Sequence, residues 1–418
     1  MDVDAYYCAC ERVFHPEMEG VPLVVLSNND GCVIARSREA AGLGIARGAP
    51  WFRVRDAAAR LGVVARSSNY ELYGSLSNRL MELLRTLSPV VEAYSIDEAF
   101  VRVRAADPDA LAGAGRRIRA AVRHDLGLPV SVGIAPTPTL AKLASHGAKH
   151  SPGLGGVAVW DLCTPAGRTR ILEATPTDGL WGVGRRTAAR LAALGVGTAQ
   201  ELAEQDPGAV RRRFGAPLAR TVLELRGVPC IGVADHDVDR ADRLILSRSF
   251  STPVTTAADM HQVLSLYAQR LTSRLRRQGS VAGALWAFAA TSRCARPLHQ
   301  VSAATALAER TDDPLVVLRA AAGLLEPRMV EGRRYARAGI GLSELAPADA
   351  QKALPAFAAD PRGRRIGALL DEVNGRLGRG ALGLGLAGMA TPPDWRMRRG
   401  MLSNRATTRW DELTRVRA

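Results

Sequence analysis

Two adjacent acids, Asp97 and Glu98, interrupt the apolar run "EAYSIDEAF" at residues 92–100. A third, Asp2, heads the segment "DVDAYYCACE", with Asp4 close behind. An ionised carboxylate in a buried, strand-like segment costs several kcal/mol or more unless a cation pairs it. No Lys or Arg adjoins any of these acids in the sequence. Clustered carboxylates without such a partner call for a hard divalent cation with oxygen ligands, Mg²⁺ above all. Two such ions about 3.5–4 Å apart would activate an attacking oxygen and stabilise a leaving phosphate. A regular strand would point residues 97 and 98 to opposite faces, so they share a site only where the chain bends.

The elements that must bring these acids together follow from the apolar spacing. The N-terminal segment 2–10 reads as a strand, on which Cys8 and Cys10 fall on one face. "VPLVVLSN" (21–28) and "GCVIARS" (31–37) read as short strands, and "SREAAGLGIARG" as a short helix stopped by glycines. Leu72, Leu76, Leu80, Leu83, Leu84 and Leu87 recur at helical spacing in residues 70–89. Two strands, "VVEAYSI" and "EAFVRV", then meet at a tight connection, followed by a helix over about 108–126 and the strand "PVSVGIA". The series is βαββαβ, a ferredoxin-like sheet with residues 11–70 inserted. In that sheet Asp2 and Asp97 are expected to face each other at one end.

The chain has 418 residues, enough for two to four domains. Its 56 Lys+Arg against 41 Asp+Glu give a net charge of +15, a field that attracts polyanions. No run of about 18 apolar residues and no basic-then-apolar leader is present, so no membrane role is expected. Six cysteines without zinc spacing read as reduced, mostly buried residues of a cytosolic protein. "LWGVGRRTAARL" pairs Gly182 and Gly184 with a helix opening on Arg185 and Arg186, and Arg190 follows. Backbone N–H groups of such a turn can point at a phosphate, and the helix dipole adds to the attraction. That makes a helix–hairpin–helix which holds the DNA backbone without reading sequence. The acidic stretch 235–242 reads as a linker, and residues 243–345 as a separate α/β domain carrying Arg270, Arg274, Arg276, Arg277, Arg293 and Arg296. The last 70 or so residues, rich in Gly, Ala and Pro, are expected to be partly mobile.

"DVDAYYCACE", "VVLSNNDGCVIARS", "SSNYELY", "YSIDEAF", "VGIAPTPTLAKLASHGAK", "LWGVGRRTAARL" and the tail "MLSNRATTRWDEL" resemble the Y-family translesion DNA polymerases, in particular their bacterial UmuC branch. The resemblance implies an α+β, multidomain right-hand polymerase: a ferredoxin-like palm (1–10 and 71–155), small fingers (11–70), a helical thumb (156–239), an α/β little finger (240–346) and a C-terminal tail (347–418). It implies that Asp2 and Asp97 bridge two Mg²⁺ ions, that Glu98 holds the catalytic ion, and that the Val3 carbonyl holds the nucleotide-associated one. Tyr7 would be the ring that excludes a 2′-OH, Cys32 and Ile34 would roof the nascent base pair, and Lys149 would contact the triphosphate. Arg274, Arg276 and Arg277 would grip DNA with the hairpin motif. The implied activity is error-prone addition of dNTPs to a primer 3′-OH opposite damaged template, in an SOS-type response. Expected partners are primer–template DNA, a UmuD-type dimer and a recombinase filament, and the expected location is the cytoplasm, at the nucleoid. Two other readings remain: a catalytically silent DNA-binding scaffold, and a nucleotide cyclase sharing the palm sheet.

The chain also departs from that pattern. Only Met1 precedes Asp2, so a frayed first strand and a translation start further upstream are expected. Ala41 stands where a basic residue is usual, and Arg38, on the same helical face, is expected to replace it. Pro138 stands where relatives often have Lys. "ALPAF" (353–357) keeps only Leu354 and Phe357 of a sliding-clamp peptide, so clamp binding is expected to be weakened or lost.

Overall fold

The computed structural model describes residues 1–232, 242–292, 295–349, 361–378, 380–385 and 393–413. The expected linker at 235–242, apart from its last residue, the clamp-like stretch at 353–357, and both Arg293 and Cys294 lie outside the described residues. The chain forms two compact units: Met1–Ser27, Gly31–His236 and Met401–Ala418 make the first, and Asn28–Asp30 with Asp237–Gly400 the second.

In the first unit the strand Asp2–Val3 lies antiparallel to Val130–Ile134, pairing Asp2 with Ser131 and Val3 with Val130. Its other edge meets the hairpin of Val91–Ala93 and Ala99–Val101: Asp2 bridges Glu98, and the Val3 N–H donates to the Asp97 carbonyl at 2.9 Å. The fourth, first, third and second strands of the βαββαβ series therefore lie side by side, as the sequence implies. Val157–Val159 adds an unanticipated parallel strand beyond Val130–Ile134. Asp2 is held on both sides, so the expected fraying is absent at this residue.

The first strand ends sooner than its sequence suggests. Ala5 takes a left-handed conformation (φ 48°) and turns the chain into a helix, Tyr6–Phe14. Cys8 and Cys10 sit on that helix, not on a strand, and both are buried free thiols. The helix buries Tyr6, Cys8, Ala9, Cys10 and Glu11, and Tyr7 is half-buried. Cys32, Cys163 and Cys230 are only partly buried. The helix Tyr70–Leu87 buries Leu72, Tyr73, Leu76, Leu80 and Leu84 on the sheet, and Asn69 caps its start by accepting from the Leu72 N–H.

The helix Pro138–His150 begins at a Thr137 cap with Pro138 in its first turn, the position that tolerates a missing N–H. It lies directly on the strand Val130–Ile134 at Gly133. A Cβ on Gly133 would stand 2.1 Å from the Ser145 nitrogen and 2.3 Å from the Ala141 oxygen, both backbone atoms of this helix. Leu23–Leu26, Val33–Arg36 and Val64–Ser67 form a separate small sheet. Helices between Pro165 and Leu225 close around Leu172, Leu191, Leu202 and Val222.

The second unit is a four-stranded antiparallel sheet in the order Gln300–Thr311, Ser280–Thr291, Tyr335–Pro347, Leu244–Val254. The helices Ala257–Arg277 and Pro314–Leu325 pack on it. The tail is more ordered than its composition suggests. Pro361–Leu377 forms a helix against those two helices, and Trp395 is buried with its indole N–H donating to Gln262 at 3.1 Å. One aromatic anchor and backbone hydrogen bonds, not periodicity, order this segment. No helix among the described residues is long and apolar enough to cross a membrane.

Gly133→Ala is expected to force the Pro138–His150 helix off the sheet at a cost of about 1–3 kcal/mol or more. Urea unfolding with the slope compared between variants reads this directly; an unchanged midpoint would contradict it.

Candidate active site

The sheet order brings Asp2 and Glu98 onto one edge-to-edge contact, where the two carboxyl groups hydrogen-bond to each other. Two ammonium groups meet them. Lys142 Nζ donates to Glu98 Oε1 at 2.6 Å, and Lys149 Nζ donates to Asp2 Oδ1 at 2.7 Å, with Asp4 Oδ1 at 3.4 Å. Both lysines project from the Pro138–His150 helix, seven residues apart and therefore on one face. The expectation of carboxylates lacking a basic partner is corrected here: the partners are 44 and 147 residues away in sequence.

Electrostatics divide the pair. Burial pushes the Glu98 carboxyl up, the Asp2 carboxyl beside it adds to this, and Lys142 only partly offsets it. Burial also pushes Asp2 up, but the hydrogen bond from Glu98 and the ammonium of Lys149 outweigh it, so Asp2 lies below the usual range. Lys149 loses to burial and gains more from Asp2 and Asp4, ending above its ordinary value. The two neighbouring acids are thus pushed in opposite directions, Asp2 down and Glu98 up.

Where the Asp97 backbone meets the first strand, its side chain makes its hydrogen bond locally. The adjacent backbones touch, but its carboxylate accepts from Ser95 Oγ at 2.6 Å, and its charge acts on Tyr7. The bend at 94–98 is closed by Tyr94 and Ser95 N–H groups donating to the Glu98 carbonyl. Burial first, then Tyr70 and Asp97, push the Tyr7 hydroxyl to about 12. The Tyr7 ring stacks on Tyr73 (4.7 Å between centroids) and meets Tyr70 edge-on.

Among the described residues no three His, Cys, Asp or Glu side chains converge as a ready metal cage. The donor set nevertheless fits Mg²⁺, which binds through one or two carboxylates and substrate phosphates and keeps several waters. Asp2 and Glu98 supply hard oxygens already forced together, and the ammonium groups occupy the charge position a dication would take. With Tyr94, Phe100 and Lys142 they line a cavity of about 630 Å³. Lys142 also lies over the Tyr94 ring at 5.2 Å, and the Tyr94 hydroxyl accepts from the Trp181 indole at 2.8 Å.

The remaining expected residues divide. Cys32 and Ile34 lie half-buried around the Val33–Arg36 strand, and Arg38 opens the next helix, exposed. Gly182 takes φ +82° and Gly184 caps the Arg185–Ala192 helix, leaving Arg185 and Arg186 exposed. Arg190 is spent internally, over the Phe214 ring at 4.5 Å and donating to the Arg213 carbonyl. In the second unit Arg276 is likewise committed, to Asp371 and the Asp312 carbonyl at 2.7 Å each, whereas Arg274 and Arg277 are exposed. Lys142 was missed, although its spacing from Lys149 was readable.

The model of the impB/mucB/samB family matches residues 1–146, and that family's C-terminal domain matches 243–354. A domain of unknown function matches 364–416. The chain is 41% identical over 425 residues to protein UmuC of Salmonella typhimurium, covering 100% of this chain and 99% of that protein. It is 38% identical to protein SamB of Salmonella typhimurium, over 99% and 97%. A DNA polymerase IV 2 of Mesorhizobium japonicum matches at 38% over 51% of this chain and 49% of that protein. Among solved structures, a Y-family DNA polymerase chimera, Dbh-Dpo4(243-245)-Dbh, aligns with TM-score 0.65 at 22% identity, over 82% of this chain and 97% of that one. An insertion ternary complex of Dbh DNA polymerase aligns with TM-score 0.55 at 21% identity over the same shares.

Replacing Lys142 by Met removes the ammonium that pulls Glu98 down, so the Glu98 carboxyl is expected to titrate still higher. Carboxyl ¹³C NMR across pH follows it, and a lower or unmoved titration would contradict the pairing.

Proposed function

The chain belongs to the impB/mucB/samB family, the UmuC branch of the Y-family DNA-directed DNA polymerases, and from that premise we propose a translesion polymerase using two Mg²⁺ ions in an SOS-type response. It extends a primer 3′-OH opposite damaged template with dNTPs. The observation that carries the reading is the Asp2–Glu98 carboxyl pair facing Lys142 and Lys149 in such a chain.

Asp2, Asp97, Glu98 and the Val3 carbonyl would hold the ions. When bound, these ions supply positive charge at the α-phosphate and make the 3′-OH a better nucleophile. The chain's own residues do the rest. Lys149 and Lys142 exchange their carboxylate partners for phosphate oxygens of the arriving nucleotide, which keeps the charge count of the pocket nearly constant. The Tyr7 ring, braced by Tyr73 and Tyr70, sits under the sugar and rejects a 2′-OH. Cys32 and Ile34, small or slim at the roof, leave room for an altered template base. Gly182 and Gly184, with Arg185 and Arg186, hold the DNA backbone, and Arg274 and Arg277 add sequence-independent phosphate contacts. Partners on this reading are primer–template DNA, a UmuD-type dimer and a recombinase filament, in the cytoplasm at the nucleoid.

A silent scaffold would have no physical reason to retain three costly acids at one sheet edge. Primer extension on an abasic template separates the readings. Mg²⁺-dependent extension is expected from the wild type, with Asp97→Ala slower by on the order of a thousandfold. Absent extension, tested also with the accessory partners supplied, would favour the scaffold, and Mg²⁺-independent extension would contradict the two-metal reading. Arg38→Ala is expected to raise the nucleotide KM about tenfold, the worth of one charge-assisted hydrogen bond. An unchanged KM in steady-state kinetics would dispose of Arg38 as the replacement for the missing base at Ala41.

A further inference from the structure

The segment Met401–Leu413 returns from the far end of the sequence onto the first unit. Leu402 forms a parallel bridge with Ser67, where the Ser67 N–H donates to the Met401 carbonyl and the Met401 N–H to Ser67 Oγ, both at 2.9 Å. Asn69, fully buried, gives its side-chain NH₂ to this segment: to Ser403 Oγ at 2.9 Å and to the Ser403 and Asn404 carbonyls at 3.2 Å. The same residue caps the helix that carries Tyr70 and Tyr73. An Arg405–Glu412 fork ties the rest of the segment to itself.

Ser403 then passes its own proton inward. Its hydroxyl donates to Glu11 Oε1 at 3.0 Å, and the Tyr73 hydroxyl donates to the same oxygen at 2.6 Å. Glu11 is buried, and its other oxygen has no hydrogen-bond partner, so these two donors alone satisfy the carboxyl group. Glu11 lies four residues after Tyr7 on the Tyr6–Phe14 helix, on the same face. Tyr73 is the ring on which Tyr7 stacks, and Tyr6 donates to the Tyr73 carbonyl at 2.6 Å.

We infer that Ser403, Asn69 and Glu11 are positioning residues for Tyr7, so that the C-terminal segment sets how strictly the pocket excludes a ribonucleotide. This rests on the polymerase reading above. Tyr73 is fixed at both ends, through its hydroxyl by Glu11 and through its helix cap by Asn69, and the Ser403 hydroxyl bonds to both of these residues. A buried ring held from two sides cannot slide, and neither can the ring stacked on it. Without Ser403, Glu11 loses one of its two donors and Asn69 its shortest acceptor, which frees the Tyr73 face to shift.

The test compares kcat/KM for a deoxyribonucleotide with that for the matching ribonucleotide, in the full chain carrying Ser403→Ala, Ser403→Thr or Tyr7→Ala. Ser403→Ala is expected to lower the discrimination about tenfold, chiefly through faster ribonucleotide use, and Ser403→Thr, which keeps the hydroxyl, to restore most of it. Tyr7→Ala should lose more than either. A lowered melting temperature for Ser403→Ala with unchanged discrimination would make the segment a mere brace and overturn the inference. Extension by no protein, wild type included, would overturn the polymerase reading and this inference together.

Discussion

Two carboxyl groups at hydrogen-bond distance inside a half-buried sheet edge are the constraint on which the first unit turns. Asp2 and Glu98 repel when both are ionised, and burial makes the repulsion worse. The sheet order forces them together because Asp2–Val3 is inserted between the hairpin and Val130–Ile134. The Pro138–His150 helix answers with Lys142 and Lys149, and it reaches them only because Gly133 lets its backbone lie on the strand. Such pairs add little net stability, since the desolvation of four charged groups offsets their attraction. On the function proposed above, their use is to keep a charge-hungry site folded until cations and phosphates arrive.

The division of labour between Asp97 and Glu98 follows from the same bend. Adjacent acids on a straight strand would alternate sides; here the turn at 94–98 sets Glu98 beside Asp2, while Asp97 bonds to Ser95 and its charge acts on Tyr7. The pocket therefore has one side dominated by carboxylate and ammonium groups and another built from stacked tyrosines. The charged groups and the stacked rings are held by different elements, which meet at residues 2–7 and 97–98.

Much of this was legible in the sequence. The βαββαβ order, the acids and the glycine hairpin follow from spacing, turn residues and the cost of burying charge. What was not legible depends on contacts between distant residues. The first helix was hidden because the chain leaves the strand through a left-handed Ala5, a conformation that this residue type does not announce. Lys142 and Lys149 share a helical face, but no local signal says that the face meets Asp2. Ser403 finds Glu11 across 392 residues of sequence through single hydrogen bonds, which leave no periodic trace, and the Gly- and Pro-rich composition around it suggested a loose tail. Arg190 and Arg276 look like phosphate ligands by composition, yet each is consumed by a neighbour that only the fold supplies.

The central claim is that Asp2 and Glu98 are paired to receive a divalent cation. A Mn²⁺ titration in the presence of a non-hydrolysable deoxynucleoside triphosphate, with free ion counted by its EPR signal, tests it without relying on turnover. Saturable binding by the wild type, weakened at least tenfold in both Asp2→Asn and Glu98→Gln, is the result this account requires. Equal Mn²⁺ affinity in all three proteins would contradict it.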